Sequence, residues 1–298
     1  MARMWRCSGL RWTARGPELV WDGGRRTALT WGKRVAFGVA DGDGGGRTCV
    51  GARGYACPLG AAVPGRSTGA RCEECARLDR AHSVAADTIA DDPRPYRVYL
   101  AWFGPGLVKV GITALERGPA RLLEQGAVCF SWLGGGPLMA ARRTEELLRA
   151  ALGVPDRIPY ARKRAVRAVL PGTEAERAAE IAELHGRAVA LGGWPEALTP
   201  EPFRAVDHVR AFGLGEAGGG TAVAEVTELA GGGVVEGELV AAAGPDLHLA
   251  TGRGVVVLDT RLMTGWGLVP AGAGGGRVDV PVRALRAAVD EGRQEGLF

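Results

Sequence analysis

The clearest pattern of apolar and polar positions in the chain runs from Arg97 to Gly126. Every second residue at its start is apolar, which predicts a strand with one apolar face. These apolar positions are Val98, Leu100 and Trp102. The glycines and proline at 104–106 predict a tight turn. Leu107–Val110 predicts a second strand, paired with the first as a hairpin, and Gly111 would end it where another group comes close to the backbone.

The residues after this hairpin predict a helix, a third strand and a second helix. The first helix would carry Arg117 and Arg121 four residues apart, and therefore on one face. Residues 127–133 are strand-like, and the glycines and proline at 134–137 are expected to end that strand. Residues 138–152 have the apolar spacing of a helix. The pattern therefore predicts a small three-stranded sheet with helices.

The regions on either side are predicted to be richer in strands. Residues 1–48 contain short apolar runs separated by glycine and aspartate turns, which favours a β-meander. A helix over 173–190 is predicted to begin with a capping box between Thr173 and Glu176. Residues 203–280 return to short valine-rich runs with glycine-rich turns, which is typical of a small antiparallel barrel or sandwich.

These elements give an α+β fold for the 298-residue chain, which is long enough for two or three domains. The predicted segments are a β-meander with a cysteine module over 1–92, a central sheet-and-helix domain over 93–172, a linking helix over 173–202, and a small antiparallel β domain over 203–298, which ends in a short helix over 280–292.

The apolar runs give no sign of a membrane segment. None is long enough to span a bilayer, and the first ten residues lack the apolar core of a signal peptide. We therefore expect a cytoplasmic protein with no membrane partner. The oligomeric state does not follow from the sequence.

Positive charge is concentrated in the middle of the chain. The net charge is only +4, but the stretch from Arg94 to Pro171 has 13 basic and 5 acidic residues. A basic domain suits a polyanion such as DNA or RNA, although a solvated arginine-rich face explains the charge equally well. The candidate nucleic-acid-binding residues are Arg117, Arg142, Arg157, Arg162, Lys163 and Arg164.

Tryptophans recur through the predicted meander and have two possible roles. They could stack on bases, although packing in a core is the more frequent role of an aromatic side chain. The four positions are Trp5, Trp12, Trp21 and Trp31.

Four cysteines follow the meander and predict a zinc site. Cys72 and Cys75 form a CxxC pair, and Cys49 and Cys57 are a more widely spaced pair. Two such pairs can ligate one tetrahedral Zn²⁺, which would hold a segment too poor in large apolar residues to bury its own core. Redox activity is the main alternative, and His82 could replace one cysteine as a ligand. Cys7 and Cys129 fit buried, small apolar positions.

The central pattern resembles the GIY-YIG nuclease superfamily, in which a β-hairpin with two short motifs precedes a helix with an arginine and a helix with a glutamate. Arg97-Val98-Tyr99 stands at the first motif and Lys109-Val110-Gly111 at the second. Arg121 matches the helical arginine. Glu145 matches the metal-binding glutamate, with Glu146 as a neighbouring alternative.

This resemblance implies hydrolysis of a phosphodiester with one divalent metal ion, Mg²⁺ or Mn²⁺. Tyr99 would activate or orient the water, Arg121 would neutralise the phosphate, and Glu145 would hold the metal. Lys109 stands where the superfamily has a tyrosine; it could bind phosphate, act as a base, or mark a site that binds without cleaving. Lysine is rare in this chain, which has 34 arginines and three lysines.

A longer resemblance covers most of the chain. The cysteine motifs TCVG and CEEC, together with VKVGIT, RLLEQGA, VPDR and the segment Asp246–Trp266, resemble a prokaryotic family known as domain of unknown function number 2797. Taken together, the sequence predicts a zinc-containing nucleic-acid-binding protein, with a metal-dependent nuclease as its specific form. The alternative is a non-catalytic module that binds protein or RNA. A zinc-stabilised enzyme acting on a small substrate is a further alternative.

Overall fold

The computed structural model describes residues 3–42, 45–81, 92–215, 221–272 and 274–285. Within these ranges the strands are β1 (Trp5–Thr13), β2 (Gly16–Trp21), β3 (Arg26–Ala28), β4 (Arg34–Val39), β5 (Pro95–Trp102), β6 (Val108–Ala114), β7 (Cys129–Pro137), β8 (Thr199–Pro200), β9 (Val206–Asp207), β10 (Ala222–Val226), β11 (Val234–Ala243), β12 (Asp246–Thr251), β13 (Gly254–Asp259), β14 (Gly267–Pro270), β15 (Val278–Asp279) and β16 (Val282–Ala284). The α-helices are α1 (Glu73–Ala81), α2 (Ala120–Gln125), α3 (Leu138–Leu152), α4 (Tyr160–Val166), α5 (Glu174–Val189), α6 (Val209–Phe212) and α7 (Thr260–Met263).

The chain divides into two compact units. Unit 1 contains Met1–Pro93, Pro119–Gln125 and Val209–Arg283, and unit 2 contains Arg94–Gly118, Gly126–His208 and Ala284–Phe298. The fold is thus α+β, as predicted, with one large mixed sheet and one small antiparallel sheet. None of the helices in the described part of the chain is both long enough and apolar enough to cross a membrane.

The large sheet belongs to unit 1 and joins the two ends of the chain. Its strand order is β16-β10-β13-β12-β11-β4-β14-β1-β2-β3, with β15 paired to β11. The strand β4 pairs with β11 on one side and with β14 on the other. The sequence predicts a separate antiparallel β domain at the C-terminus. The structure instead places those strands in the same sheet as the N-terminal meander, and β10 pairs with β13 in parallel.

This shared sheet builds one hydrophobic core from both ends of the chain. Trp12 and Phe37 come from the N-terminal strands, and Leu239, Leu249 and Leu258 come from the C-terminal ones. A short meander cannot bury much apolar surface alone, and sharing the core lets each half cover the other.

The small sheet of unit 2 has the order β6-β5-β7-β8, with β9 paired to β7. The predicted hairpin is confirmed: β5 and β6 are antiparallel, with Tyr99 opposite Gly111. Helix α3 packs on β5, β6 and β7, and α5 packs on β5 and β7. The predicted bounds of α3 are those observed, and Gly153 ends it in the left-handed region at φ 67°.

Strand β7 is longer than the glycines at 134–136 suggest, because these glycines allow β8 to approach closely. A Cβ on Gly134 would lie 2.8 Å from the carbonyl oxygen of Thr199, and one on Gly136 would lie 2.4 Å from that of Ala197. The glycines therefore sit inside the strand, which continues to Pro137.

The helix after the hairpin also differs from its prediction. Leu115–Arg117 form a 3₁₀ turn, Gly118 and Pro119 interrupt the helix, and α2 begins at Ala120. Proline cannot continue the hydrogen-bonding pattern of a preceding helix. Arg117 and Arg121 therefore lie on separate elements, the first in unit 2 and the second in unit 1.

The capping box of α5 is confirmed. The amide of Glu176 donates to Thr173 Oγ1 at 3.3 Å, and the amide of Thr173 donates to the Glu176 carboxylate at 3.0 Å. The apolar spacing of this helix predicts Ala178, Ile181, Leu184 and Val189 as its buried face; the first three are buried, whereas Val189, the last residue of α5, is 47% exposed. Most of the predicted helix over 280–292 lies outside the described residues, and β16 occupies its first part.

Candidate metal centre and hairpin cluster

Four cysteine side chains converge in unit 1. Cys49 and Cys57 lie in the loops before α1, and Cys72 and Cys75 lie at its start. Their sulfur atoms are all within 4.8 Å of one another, and the Sγ atoms of Cys57 and Cys72 are 3.9 Å apart. We call residues 45–81 the cysteine segment. The spacing-based prediction of one shared site is thus confirmed as a cluster that can hold a metal ion.

A tight turn brings the first pair of cysteines together. Ala52 and Tyr55 exchange backbone hydrogen bonds of 3.1 and 2.9 Å. Gly51 has φ +78°, and a Cβ there would lie 1.8 Å from the carbonyl oxygen of Tyr55. Only glycine fits such a position, because it has no side chain to clash. The turn reverses the chain between Cys49 and Cys57.

Backbone amides point at the sulfur of Cys49. Gly51 donates to Cys49 Sγ at 3.3 Å, and Cys72 donates to the same atom at 3.2 Å. Such hydrogen bonds favour the thiolate form that binds a metal, and they orient the ligand. The backbone amides of Ala61 and Leu59 likewise lower the pKa of the Cys57 thiol to about 6, whereas burial raises the pKa of Cys75 to about 12.

The cysteine segment has little apolar material of its own. Its buried apolar side chains are those of Cys49, Ala52, Val63, Ala70 and Cys75. No large aromatic or leucine side chain is among them, so burial of apolar area contributes little here.

Arg47 ties this segment to the rest of unit 1. It is 3% exposed, and its guanidinium group donates to four carbonyl oxygens, at distances from 2.6 to 2.9 Å. The acceptors are Pro64, Ser67, Arg261 and Thr264. Burial lowers the pKa of Arg47. No sequence pattern predicts this anchor, because its acceptors are backbone carbonyl groups and two of them, those of Arg261 and Thr264, are more than 200 positions away in the chain.

The four sulfurs fit a tetrahedral metal. A Zn–S bond of about 2.3 Å places the sulfurs of a tetrahedral site about 3.8 Å apart. The Cys57–Cys72 distance matches this value. The other sulfur–sulfur distances, all within 4.8 Å, need to shorten only slightly to reach it. Within the described ranges, this cluster is the only group of three or more His, Cys, Asp or Glu side chains close enough together to hold a metal ion. The alternative ligand His82 lies outside those ranges.

Unit 2 brings three of the four residues implied by the nuclease resemblance into one compact unit. Tyr99 is 1% exposed and lies against Gly111 on the neighbouring strand. A Cβ on Gly111 would come within 2.4 Å of the Tyr99 hydroxyl oxygen. The group expected to approach the backbone at Gly111 is therefore the ring of Tyr99, which also meets the Trp132 ring edge to face at a centroid distance of 6.2 Å.

Lys109 lies on the same sheet face as Tyr99, because the register pairs Tyr99 with Gly111 and Ala101 with Lys109. It is 9% exposed. Its ammonium group donates to the carbonyl oxygen of Asp156 at 3.0 Å and lies 5.7 Å from the centre of the Tyr99 ring. This lysine therefore fastens the loop after α3 to the hairpin.

Glu145 is half-buried on α3 and has charged neighbours. Burial raises the pKa of its carboxyl group, the Lys109 ammonium opposes that rise, and the Asp156 carboxylate adds to it. The neighbouring Glu146 is exposed, and its carboxylate is 3.8 Å from Arg149. Glu145, rather than Glu146, is thus the one that interacts with Lys109. We call Tyr99, Lys109, Glu145 and Asp156 the hairpin cluster. Asp156 was not singled out from the sequence, although it lies within the VPDR motif.

Arg121, the fourth residue of that set, is on α2 in unit 1. Helix α2 packs on β1 and β11. The Arg121 guanidinium group is 4.0 Å from the Glu124 carboxylate and is 43% exposed. Its predicted role at a phosphate stays a prediction.

The predicted nucleic-acid-binding residues differ in exposure. Arg117, Arg157 and Arg162 are exposed, and Arg142 and Arg164 are partly exposed. Lys163 is different: it is 3% exposed, and its ammonium group lies 3.9 Å from the centre of the Phe103 ring and 4.4 Å from that of Tyr160. Its cation is stacked within the protein and does not face a surface where a phosphate could bind.

Cys7 and Cys129 are fully buried, as predicted, and burial raises the pKa of each thiol to about 12. All six cysteines are free thiols in the structure.

A family model described as "Protein of unknown function (DUF2797)" matches residues 36–268. The matched range includes the four clustered cysteines, the hairpin cluster and Arg121. No curated protein and no solved structure matches the chain.

Proposed function

The chain belongs to the DUF2797 family of proteins of unknown function, and we propose that it is a zinc-containing nucleic-acid-binding protein. The observation that carries the zinc assignment is the convergence of four cysteine sulfurs within 4.8 Å in a segment with almost no core. Four protein ligands leave no open position on the metal, which is typical of a structural site.

Zinc removal tests this part of the proposal. A chelator is expected to release one zinc per chain and to expose the cysteine segment to proteolysis, because binding free energy and folding free energy are shared in such sites. The control is chelation in the presence of excess Zn²⁺. Purified protein with no metal and four freely titrating thiols would remove the assignment.

Nucleic-acid binding is supported by the charge of unit 2 and by its exposed arginines. Arg143 and Arg162 are exposed, and no carboxylate lies within 4.0 Å of either guanidinium group in the described ranges. Cations without a protein partner are available to phosphates, and affinity that depends on them falls as salt rises. Binding to DNA or RNA that is insensitive to salt would count against this role.

Phosphodiester cleavage is the second candidate function, and the hairpin cluster favours it. The hairpin β5–β6, the strand β7 and the glutamate on α3 follow the order of the GIY-YIG pattern. Glu145 and Asp156 offer the oxygen ligands that Mg²⁺ or Mn²⁺ prefers, and Mg²⁺ sites often use one or two carboxylates, with substrate phosphates completing the shell. A bound divalent ion would polarise the phosphate.

The residues of the chain would have distinct tasks in that reaction. The Tyr99 hydroxyl, held over Gly111, would orient the water. Lys109, fixed by the Asp156 carbonyl, would place positive charge beside Glu145 and keep its carboxylate ionised. If the site has no cleavage activity, the same groups describe a recognition module for RNA or protein.

One assay separates these possibilities. Single- and double-stranded DNA and RNA would be incubated with and without Mg²⁺ or Mn²⁺, with the wild type beside Glu145→Gln and the adjacent Glu146→Gln as control. Metal-dependent cleavage lost only in Glu145→Gln is the expected result for a nuclease. Binding without cleavage would leave the recognition module as the function. The absence of both binding and cleavage would overturn the nucleic-acid proposal.

A further inference from the structure

Unit 1 contains an open cleft that belongs to neither site described above. It lies at the β1–β2 turn, beside the residues that follow β3, and has a volume of about 300 Å³. Its lining includes Trp12, Arg15, Pro17, Leu29 and Trp31.

One wall of this cleft is rigid. Trp12 is 3% exposed, its Nε1 donates to the carbonyl oxygen of Gly244 at 2.8 Å, and its ring meets Phe212 edge to face at 5.1 Å. The amide of Leu29 donates to the carbonyl oxygen of Pro17 at 2.9 Å. The cleft is therefore formed in advance and does not need to open for a ligand.

Trp31 differs from Trp12 in having its polar group unused. It is partly exposed, and its indole N–H has no hydrogen-bond partner among the residues that the structure describes. A half-exposed indole beside an apolar hollow offers both a stacking surface and a hydrogen-bond donor. Such a wall suits a flat ring with acceptor atoms.

The charge at the cleft favours an anion. Arg15 is the single charged residue in the lining, and it is exposed. No carboxylate in the described part of the chain lies within 4.0 Å of its guanidinium group. A guanidinium group without a carboxylate partner is well suited to bind phosphate in two-point fashion.

The volume limits the size of the ligand. Small-molecule sites range from about 300 to 1,000 Å³, so this cleft is at the lower end and fits one small ring system. A nucleobase with its phosphate has the required flat ring, hydrogen-bond acceptors and negative charge.

We infer that this cleft binds one base of a single-stranded nucleic acid, with the base against Trp31 and an adjoining phosphate on Arg15. The inference rests on the proposed nucleic-acid binding and adds a base-holding site in unit 1. Stacking of this kind tolerates any base, since each has a flat face.

The test compares eight-nucleotide oligothymidylate with an abasic strand of the same length and backbone, by fluorescence anisotropy. The wild type is expected to prefer the strand with bases. Trp31→Ala is expected to remove that preference with a loss of about fivefold or more in affinity, and Trp31→Phe should retain most of it. Arg15→Ala should weaken the binding of both strands, because Arg15 contacts the phosphate, which both strands have.

Trp21→Ala is the matched control, because Trp21 lies on the same sheet outside the cleft and its Nε1 donates to Thr27 Oγ1 at 2.9 Å. Equal affinity of the wild type for both strands, or an unchanged preference in Trp31→Ala, would overturn the base-holding site and leave nucleic-acid binding through phosphates in place. Absence of binding to every oligonucleotide would overturn both proposals.

Discussion

The cysteine segment and the hairpin cluster are held in place by different means. The first has small residues, glycine turns and four converging sulfurs, and Arg47 ties it to the rest of unit 1 through the carbonyl oxygens of Arg261 and Thr264. The second rests on a sheet in which Tyr99, Leu100 and Phe130 are buried, with Leu148 of α3 also buried. A metal is therefore expected to determine the order of the first region, whereas packing determines that of the second. The two regions should respond to different perturbations.

The largest expected effect comes from breaking the cysteine cluster. Cys75→Ser removes one of four ligands, and structural zinc sites contribute about 10–16 kcal/mol of binding free energy to folding. We expect loss of bound zinc and rapid proteolysis within residues 45–81, with the fragments identified by mass spectrometry. Cys129→Ala is the control, since it removes a buried thiol outside the cluster. A Cys75→Ser protein that keeps its zinc and its protease resistance would show that the four-cysteine site does not determine the order of the cysteine segment.

The matching change beside the hairpin cluster is Gly111→Ala, because Gly111 lies against Tyr99. The added methyl would lie 2.4 Å from the Tyr99 hydroxyl oxygen, so the sheet or the ring must shift. Overpacking of this kind lowers the free energy of unfolding by about 1–3 kcal/mol, and urea unfolding measures this loss. Gly186→Ala is the control, because nothing lies within 4 Å of its new methyl and alanine favours its helix. Equal unfolding free energies for Gly111→Ala and wild type would show that Tyr99 is loosely held.

Two adjacent cations of α4 sharpen the distinction between packing and surface. Lys163→Ala removes a buried ammonium stacked on two rings, and we expect a loss of about 2 kcal/mol in unfolding free energy. Arg162→Ala changes an exposed side chain and should leave stability within about 0.5 kcal/mol. It should instead lower the salt dependence of nucleic-acid binding by about one unit of slope. A large loss of stability in Arg162→Ala, together with a lower salt dependence of binding in Lys163→Ala, would refute this description of α4.

The smallest effect concerns Glu145 and pH. Burial raises the pKa of its carboxyl group in the folded protein, so the folded state binds more protons than the unfolded state above the ordinary value of 4.5. Stability contributed by the protonated form is present at low pH and is lost as pH rises through the folded pKa. Glu145→Gln is therefore expected to be more stable than wild type at neutral pH, with the difference vanishing below the ordinary pKa.

Urea unfolding of wild type and Glu145→Gln, from neutral pH to below the ordinary pKa of a glutamate, measures the difference in their free energies of unfolding. Glu146→Gln provides the control, because that carboxylate is exposed beside Arg149. A Glu145→Gln protein less stable than wild type at neutral pH would mean that Lys109 outweighs the burial of Glu145.

Local chemistry explains which features the sequence could predict. The hairpin follows from alternation and its turn, α3 from its apolar spacing and terminal glycine, and α5 from a capping box between residues three apart. The cysteine cluster follows from spacing and ligand type, although only the structure shows the turn at Gly51 that closes it.

Features that depend on distant partners could not be predicted. The insertion of β4 between β11 and β14 pairs residues about 200 positions apart, and no local pattern specifies it. The burial of Lys163 depends on Phe103, and the role of Arg47 depends on carbonyl groups from two separate segments. The break at Gly118-Pro119 follows from local chemistry, because proline cannot continue a preceding helix, and the four-residue spacing of Arg117 and Arg121 does not take it into account.

The central claim is that one zinc ion, held by four cysteines, determines the order of the cysteine segment. X-ray absorption at the zinc edge, combined with elemental analysis of the purified full chain, tests it most directly. The account predicts one zinc per chain, with a single shell of four sulfurs at about 2.3 Å. A protein without zinc, or a shell in which nitrogen or oxygen replaces two or more sulfurs, would contradict it.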